Sequence, residues 1–285
     1  TEAGLNPERT SLLGLDTDFA PAVKSHLSGA SQAAFERERL LRLDLQSRLA
    51  TAPLLPEDHP LARDLLMTRL SLQDVVLLQK SGKGHLNPGA IRPYSIDPFA
   101  GLWIEGPQTL VRDHVIETHA DADAYLQRMA ALADGLHDTR RRLLADAATG
   151  HLPSASLLKA TREDIETLLQ ANAFEAILTN LDNFSRALPA NPDRSHDDRL
   201  KAARDIYETG LMPAYRDLAQ TLSRLEGEAP IPIGLWTQPG GVTLYNDLLT
   251  VKADPLANPE TLWTRLELAT QTIRPPTIAP DIDVQ

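Results

Sequence analysis

Apolar residues recur along most of the chain at the three-and-four spacing of amphipathic helices. The clearest case lies between residues 118 and 150. There Tyr125, Met129, Leu132, Leu136, Leu143 and Ala147 fall on one face, and Arg140, Arg141 and Asp146 are left to face water. Thr118 with Asp121 three positions on has the form of a capping box with a shorter acid, and Gly150 followed by Pro153 supplies the stop. Residues 31–49 repeat the pattern with Phe35, Leu41, Leu45 and Leu49, and a segment after Pro60 carries Leu61, Leu65, Leu72, Val76 and Leu77. The two read as long antiparallel helices joined between Pro53 and Pro60. Helical spacing continues through residues 154–170, 173–188 and 195–226. In the last of these Gly210 and Pro213 predict a bend, because proline removes a backbone donor. Asn258-Pro259-Glu260 starts a final helix, with asparagine as N-cap and an acid in the first turn; Trp263 flanks its apolar stripe of Leu262, Leu266 and Ile273.

Two stretches break the helical pattern. Residues 81–116 hold Gly82, Gly84, Pro88, Gly89, Pro93, Pro98, Gly101, Gly106 and Pro107, with Tyr94, Phe99 and Trp103 among them. This reads as a long extended loop of the kind that packs on its own side chains or serves as a lid. Residues 274–285, with Pro275, Pro276 and Pro280, cannot continue a helix. The expected architecture is therefore all-α: a multi-helix bundle with long antiparallel helices and one long Gly/Pro-rich loop. Residues 1–273 form a single helical domain, with a subdivision near 81–117 left open, followed by a Pro-rich tail at 274–285.

Composition narrows the function classes. Against 28 lysines and arginines stand 39 acidic residues, a net charge of −11, which disfavours nucleic acid as a partner. There is no cysteine, so disulfides, thiolate metal sites and a cysteine nucleophile are excluded, while the compartment stays open. No apolar run approaches the roughly 20 residues of a transmembrane segment. The chain begins at Thr1, which fits either removal of a signal peptide or a trimmed start. The expectation is a periplasmic or secreted protein, with the cytoplasm not excluded.

Four segments and one tyrosine carry a resemblance. They are Pro7-Glu-Arg-Thr-Ser-Leu-Leu-Gly14, Asp121-Ala-Asp-Ala-Tyr-Leu-Gln-Arg-Met129, Leu211-Met-Pro-Ala-Tyr215, Gly234-Leu-Trp-Thr-Gln-Pro-Gly-Gly241 and, shortly after, Tyr245. In order and spacing the chain resembles the amino-terminal half of the bacterial DUF885 family, helical proteins regarded as zinc-metallopeptidase-like. The resemblance implies a fold related to gluzincin-type peptidases, with a His-Glu-x-x-His zinc helix in a carboxy-terminal half. That half is missing here, and none of the eight histidines is followed by glutamate. Zinc is accordingly expected only in the missing half and no cofactor in this chain. At Leu262-Trp263, where family members tend to carry Ile-His, Trp263 cannot serve as a ligand or proton carrier.

Other candidate chemistry is weak. His114, Glu117 and His119 match neither zinc-helix spacing, since histidines five apart on a helix point about 140° from each other. No Gly-x-Ser-x-Gly elbow occurs, although a dispersed Ser–His–Asp set stays open. Gly82-Lys83-Gly84 lacks the upstream glycine of a phosphate loop. Asp121 and Asp123 sit where a helix dipole favours acids, and Asp97 with Glu105 is the remaining carboxylate pair for a hydrolase. In the Pro239-Gly240-Gly241 turn, proline presets one dihedral and glycine accepts positive φ, so the turn aims Trp236 and Tyr245 in fixed directions. Either these two and Trp103 pack in the core, or they line a peptide-binding cleft. The leading expectation is the non-catalytic helical half of a metallopeptidase-like protein, with Trp103, Trp236 and Tyr245 as cleft-wall candidates. Its partner would be a missing carboxy-terminal half or a second copy, and its ligand a peptide. The alternative is a stand-alone interaction module of the cell envelope.

Overall fold

A computed structural model describes residues 6–18, 20–51, 53, 94–99, 101–170, 174–191, 194–252 and 259–272. Every regular element among them is helical. Short helices α1 (Pro7–Leu12) and α2 (Leu15–Asp18) and a 3₁₀ turn (Pro21–Ser25) lead into α3 (Gln32–Thr51). Helix α4 (Leu102–Gln108) runs into a π turn (Thr109–Asp113) and is followed by α5 (His119–Ala148), α6 (Ala155–Gln170) and α7 (Glu175–Arg186). Helix α8 (His196–Asp205), a π segment (Ile206–Leu211) and α9 (Met212–Glu226) follow one another without a break. A 3₁₀ turn (Leu235–Thr237), α10 (Gly241–Lys252) and α11 (Pro259–Thr272) complete the order.

Helix α5 is the spine, with 30 residues and a length of about 45 Å at 1.5 Å per residue. Its start is the predicted capping box: the Asp121 N–H donates to Thr118 Oγ1 at 3.2 Å and the Thr118 N–H to Asp121 Oδ2 at 2.9 Å, a device worth about 1 kcal/mol. Its stop is Gly150, whose φ of +80° suits glycine. Tyr125, Met129, Leu132, Leu136 and Leu143 are fully buried, as their spacing predicts, but Asp146 is also buried rather than facing water. It lies near Arg142, whose guanidinium sits 4.4 Å over the Phe35 ring and so pins α3 to the spine. Helices α4, α6, α8 and α9 close around this core. Helix α4 comes in closely because both sides lack a side chain at the crossing. A Cβ on Gly135 would lie 2.2 Å from Leu102 Cδ2, and one on Gly106 would lie 2.4 Å from Leu132 Cδ1.

Two prolines lie inside continuous helix, the first of them against the sequence expectation. Residues 102–113 are helical, although Gly106 and Pro107 lie within a stretch expected to be loop. Pro107 has no N–H to offer the Trp103 carbonyl one turn back, and the buried Tyr215 hydroxyl donates to that carbonyl instead, at 2.7 Å. The next turn widens to π, and Asn180 Nδ2 donates to the Leu110 carbonyl at 3.0 Å. At Pro213 the rod is continuous, with a π segment where the sequence predicts a bend. That segment absorbs the lost bond, the Met212 N–H reaching back five residues to Tyr207. The helix expected after Pro60, residues 81–93 of the expected loop, and the 274–285 tail lie outside the described residues.

Candidate functional site

The glycine-proline turn forms as its residues dictate. The Gly241 N–H donates to Gln238 O at 3.0 Å, and Gly240 takes φ +69°. Gly241 has no substitute there, since an added Cβ would meet Leu235 O at 1.6 Å. Gln238 Nε2 donates to Leu152 O at 2.5 Å and the His151 ring meets Pro239 O at 3.2 Å, so the turn is fastened to the α5–α6 connection. The three aromatic candidates then separate. Trp236 and Tyr245 stay at the surface, 69% and 47% exposed, which removes core packing as their role. Trp103 is 1% exposed, its indole N–H donating to Asp97 O at 3.1 Å, and it offers no face to a ligand. The structure thus brings Trp236 and Tyr245 onto one turn-and-helix unit and leaves Trp103 in the core, apart from them. Ile231, Ile233 and Val242 are exposed around the turn, and Trp263, Leu266 and Leu268 are exposed on α11.

His114 occupies a different place from any metal site. Arg128, wholly buried on α5, donates to His114 Nδ1 at 2.9 Å, and His114 Nε2 faces the Asp121 carbonyl at 3.0 Å. A guanidinium can only donate, so Nδ1 accepts and Nε2 carries the proton. Burial, and next the Arg128 charge, push the His114 pKa down to about 4. Arg128 also donates to His26 O at 2.9 Å, Val23 O at 3.0 Å and Ser11 Oγ at 3.0 Å, and Ser11 in turn donates to Asp16 at 2.5 Å. Lys24 closes the network on Asp121 at 2.7 Å. Burial alone would raise the Asp121 carboxyl, but Lys24 and the cap donors outweigh it and hold it below the usual range. Glu117 is exposed and His119 opens α5; among the described residues no three His, Asp or Glu side chains converge to hold a metal. The zinc implied by the resemblance finds no matching donor set in them.

One Ser–His–Asp set does come together. Ser185 Oγ lies 2.9 Å from His196 Nδ1, and His196 Nε2 lies 2.9 Å from Asp182 Oδ1. The Nε2 contact is close but not aligned as a hydrogen bond. Ser185 is buried, and its hydroxyl donates to Leu181 O at 2.6 Å, so the proton a nucleophile must surrender to histidine points away from it. Asp182 is shared with Arg186 at 2.8 Å. The set ties α7 to the start of α8 and is not arranged for acyl transfer. Asp97 likewise spends its carboxylate on a local turn, accepting from the Phe99 N–H at 2.8 Å. Asp123 pairs with Arg199 and Arg194, both at 3.0 Å.

A concave groove of about 820 Å³ opens between α5, α6 and α9, lined by Arg140, Glu166, Leu169, Arg216, Thr221 and Arg224 among others. The sequence reading missed it. The spacing of Arg216, Gln220 and Arg224 marks one face of α9, but nothing local shows that Arg140 joins them from α5.

Comparison with known proteins agrees with the fold. The family model described as "Bacterial protein of unknown function (DUF885)" matches residues 7–263. No curated protein matches the chain. A crystal structure described as that of "the putative lipoprotein from Colwellia psychrerythraea" superposes with a TM-score of 0.75 at 17% identity, over 95% of this chain and 47% of that one. The chain therefore spans about half the length of that solved relative, and at this identity the likeness is one of fold. With a spine helix, a glycine-proline turn and a family match that runs through nearly all its described helices, the chain belongs to the DUF885 family.

Proposed function

We propose that this chain is a non-catalytic helical scaffold within a longer, metallopeptidase-like protein of the cell envelope. In this reading Trp236 and Tyr245 form part of one wall of a peptide-binding cleft. Helices α10 and α11 dock the remainder of the protein, which carries the zinc and the hydrolytic chemistry. The observation that carries the reading is the unburied apolar surface at this end: Trp236, Val242, Tyr245, Trp263, Leu266 and Leu268 are all exposed. Fully burying a large apolar side chain stabilises by roughly 1.5–3 kcal/mol, so six left open is a substantial driving force for association. The share of the solved relative that this chain spans, 47%, leaves room for such a partner segment, and the relative's description as a lipoprotein fits an envelope location. In the alternative of a stand-alone module, this end would be polar and well capped.

The test is to produce the full encoded protein and, separately, this chain and the segment beyond it. The expected result is one-to-one reassociation of the two pieces, with zinc bound by the complex and not by this chain. A stable monomer that ignores the other piece, or a homodimer closed through α11, would overturn the docking assignment. Stoichiometric zinc with peptide hydrolysis by this chain alone would overturn the non-catalytic one.

A further inference from the structure

The groove between α5, α6 and α9 departs from the rest of the molecule in charge. The protein carries a net charge of −11, yet three guanidinium groups, Arg140, Arg216 and Arg224, converge on this concavity. Several surface arginines elsewhere are paired, Arg141 with Asp138, Arg186 with Asp182, and Arg162 with Glu166 and Glu226; the groove differs in gathering three that are not. Among the described residues Arg216 and Arg224 have no carboxylate partner, and Arg140 donates from Nε to Thr221 Oγ1 at 2.8 Å, which leaves its outer nitrogens free to meet a ligand. The acid that lines the groove, Glu166, is taken by Arg162 at 2.7 Å. Three unneutralised cations in one groove of an acidic protein are selected against by solvation alone only weakly, but they form a ready site for anions.

Spacing identifies the kind of anion. Arg216 and Arg224 stand eight residues apart on one face of α9, about 12 Å along the axis. That is beyond the span of a single phosphate. It matches an extended peptide, in which carboxylates four residues apart lie about 13 Å from each other. Between the two arginines the groove offers Ala219 and Leu169 as an apolar floor and the exposed Gln220 and Ser223 as polar partners for a backbone, the Thr221 hydroxyl being spent on Arg140 and the Asp217 carbonyl. We infer that this groove binds an extended acidic peptide, with Arg216 and Arg224 each taking one carboxylate and Arg140 strengthening the field between them. The site is separate from the aromatic turn and stands or falls independently of the scaffold reading.

The experiment uses this chain and a fluorescein-labelled, glutamate-bearing decapeptide with acids at its third and seventh positions, followed by anisotropy at low salt. The expected result is saturable binding. It should weaken by about fivefold for each of R216A and R224A, with little change for R204A, a surface arginine outside the groove, taking each exposed charge pair at its usual modest worth. The same peptide with glutamines should not bind, and raising salt should weaken the glutamate peptide further. Arg204, Arg216 and Arg224 are all exposed and can be replaced without touching the core, so unchanged circular dichroism keeps a loss of binding interpretable. The inference is overturned if the glutamine peptide binds equally, if R216A and R224A leave affinity unchanged, or if inorganic pyrophosphate displaces the peptide at equal concentration, which would mark a small-anion site instead.

Discussion

Arg128 and Trp263 lie on helices of one chain in opposite circumstances. Arg128 is a charged residue with no exposed surface, surrounded by acceptors from α1, the first 3₁₀ turn and the residues leading into α5. Trp263 is a large apolar residue 63% exposed on α11, whose described positions are almost all open to solvent. By hydrophobicity the two should be exchanged. The inversion shows that Arg128 can be buried because its guanidinium donors find acceptors, whereas among the described residues no element covers the side chains of α11. The buried side chains of this chain gather on α5 and the helices around it, and almost all the described side chains of α11 lie open to solvent.

The strongest way to break the comparison is at Arg128. Replacing it with methionine would keep the apolar stem but leave His114 Nδ1, Ser11 Oγ and the Val23 and His26 carbonyls without their donor. Each unsatisfied buried group costs about 1–3 kcal/mol, so Arg128→Met should lower unfolding stability by roughly 3 kcal/mol or more. Arg128→Lys should recover little, because an ammonium cannot present the planar fork that reaches these acceptors. Urea unfolding measures both. A loss below 1 kcal/mol for the methionine variant would mean the network is ornament on a core that holds without it.

Acid tests the same network through His114. Its pKa in the folded protein, about 4, lies below the ordinary value of 6.5, so the unfolded chain binds the proton more readily. The stability from keeping this ring neutral is therefore complete above pH 6.5 and is lost as pH falls toward 4, by roughly 3 kcal/mol over the window. Below pH 4 this group removes nothing further. Its neighbours Arg128 and Lys24 oppose the added charge, while Asp16 favours it less strongly. In His114→Gln, which keeps an acceptor and a donor in place, the melting temperature should fall less steeply between pH 6.5 and 4. Parallel profiles for the two proteins would remove His114 as the source.

Which of these features could be read in the sequence follows from how far apart their partners lie. Helix α5 was legible because Thr118, Asp121 and Gly150 act within a few residues of its ends. The turn at Pro239 was legible for the same reason. The helical state of residues 102–113 was not, since the cost of Pro107 is met by Tyr215, more than a hundred residues away. The Arg128 network was hidden likewise, as its partners come from residues 11, 23, 26 and 114. Trp103 and Trp236 sit in similar glycine- and proline-rich surroundings, and their sequences do not distinguish them. What separates them is that α5 and α9 cover one and no described element covers the other.

The gentlest perturbation bears on that last contrast. Because Trp263 and Leu266 are already hydrated on α11, the double change Trp263→Ser and Leu266→Ser should shift the stability of this chain by no more than about 0.5 kcal/mol. Two of the three tryptophans, Trp236 and Trp263, are open to water while Trp103 is sealed, so iodide should quench about two thirds of the indole emission in the parent chain. If α11 is a docking helix, the partner segment should shield Trp263 from iodide in the parent, and the double variant should bind that segment much more weakly while melting at the same temperature. A variant that melts several degrees lower would instead show that α11 packs on this chain in solution, and the division between a closed spine and an open end would not hold.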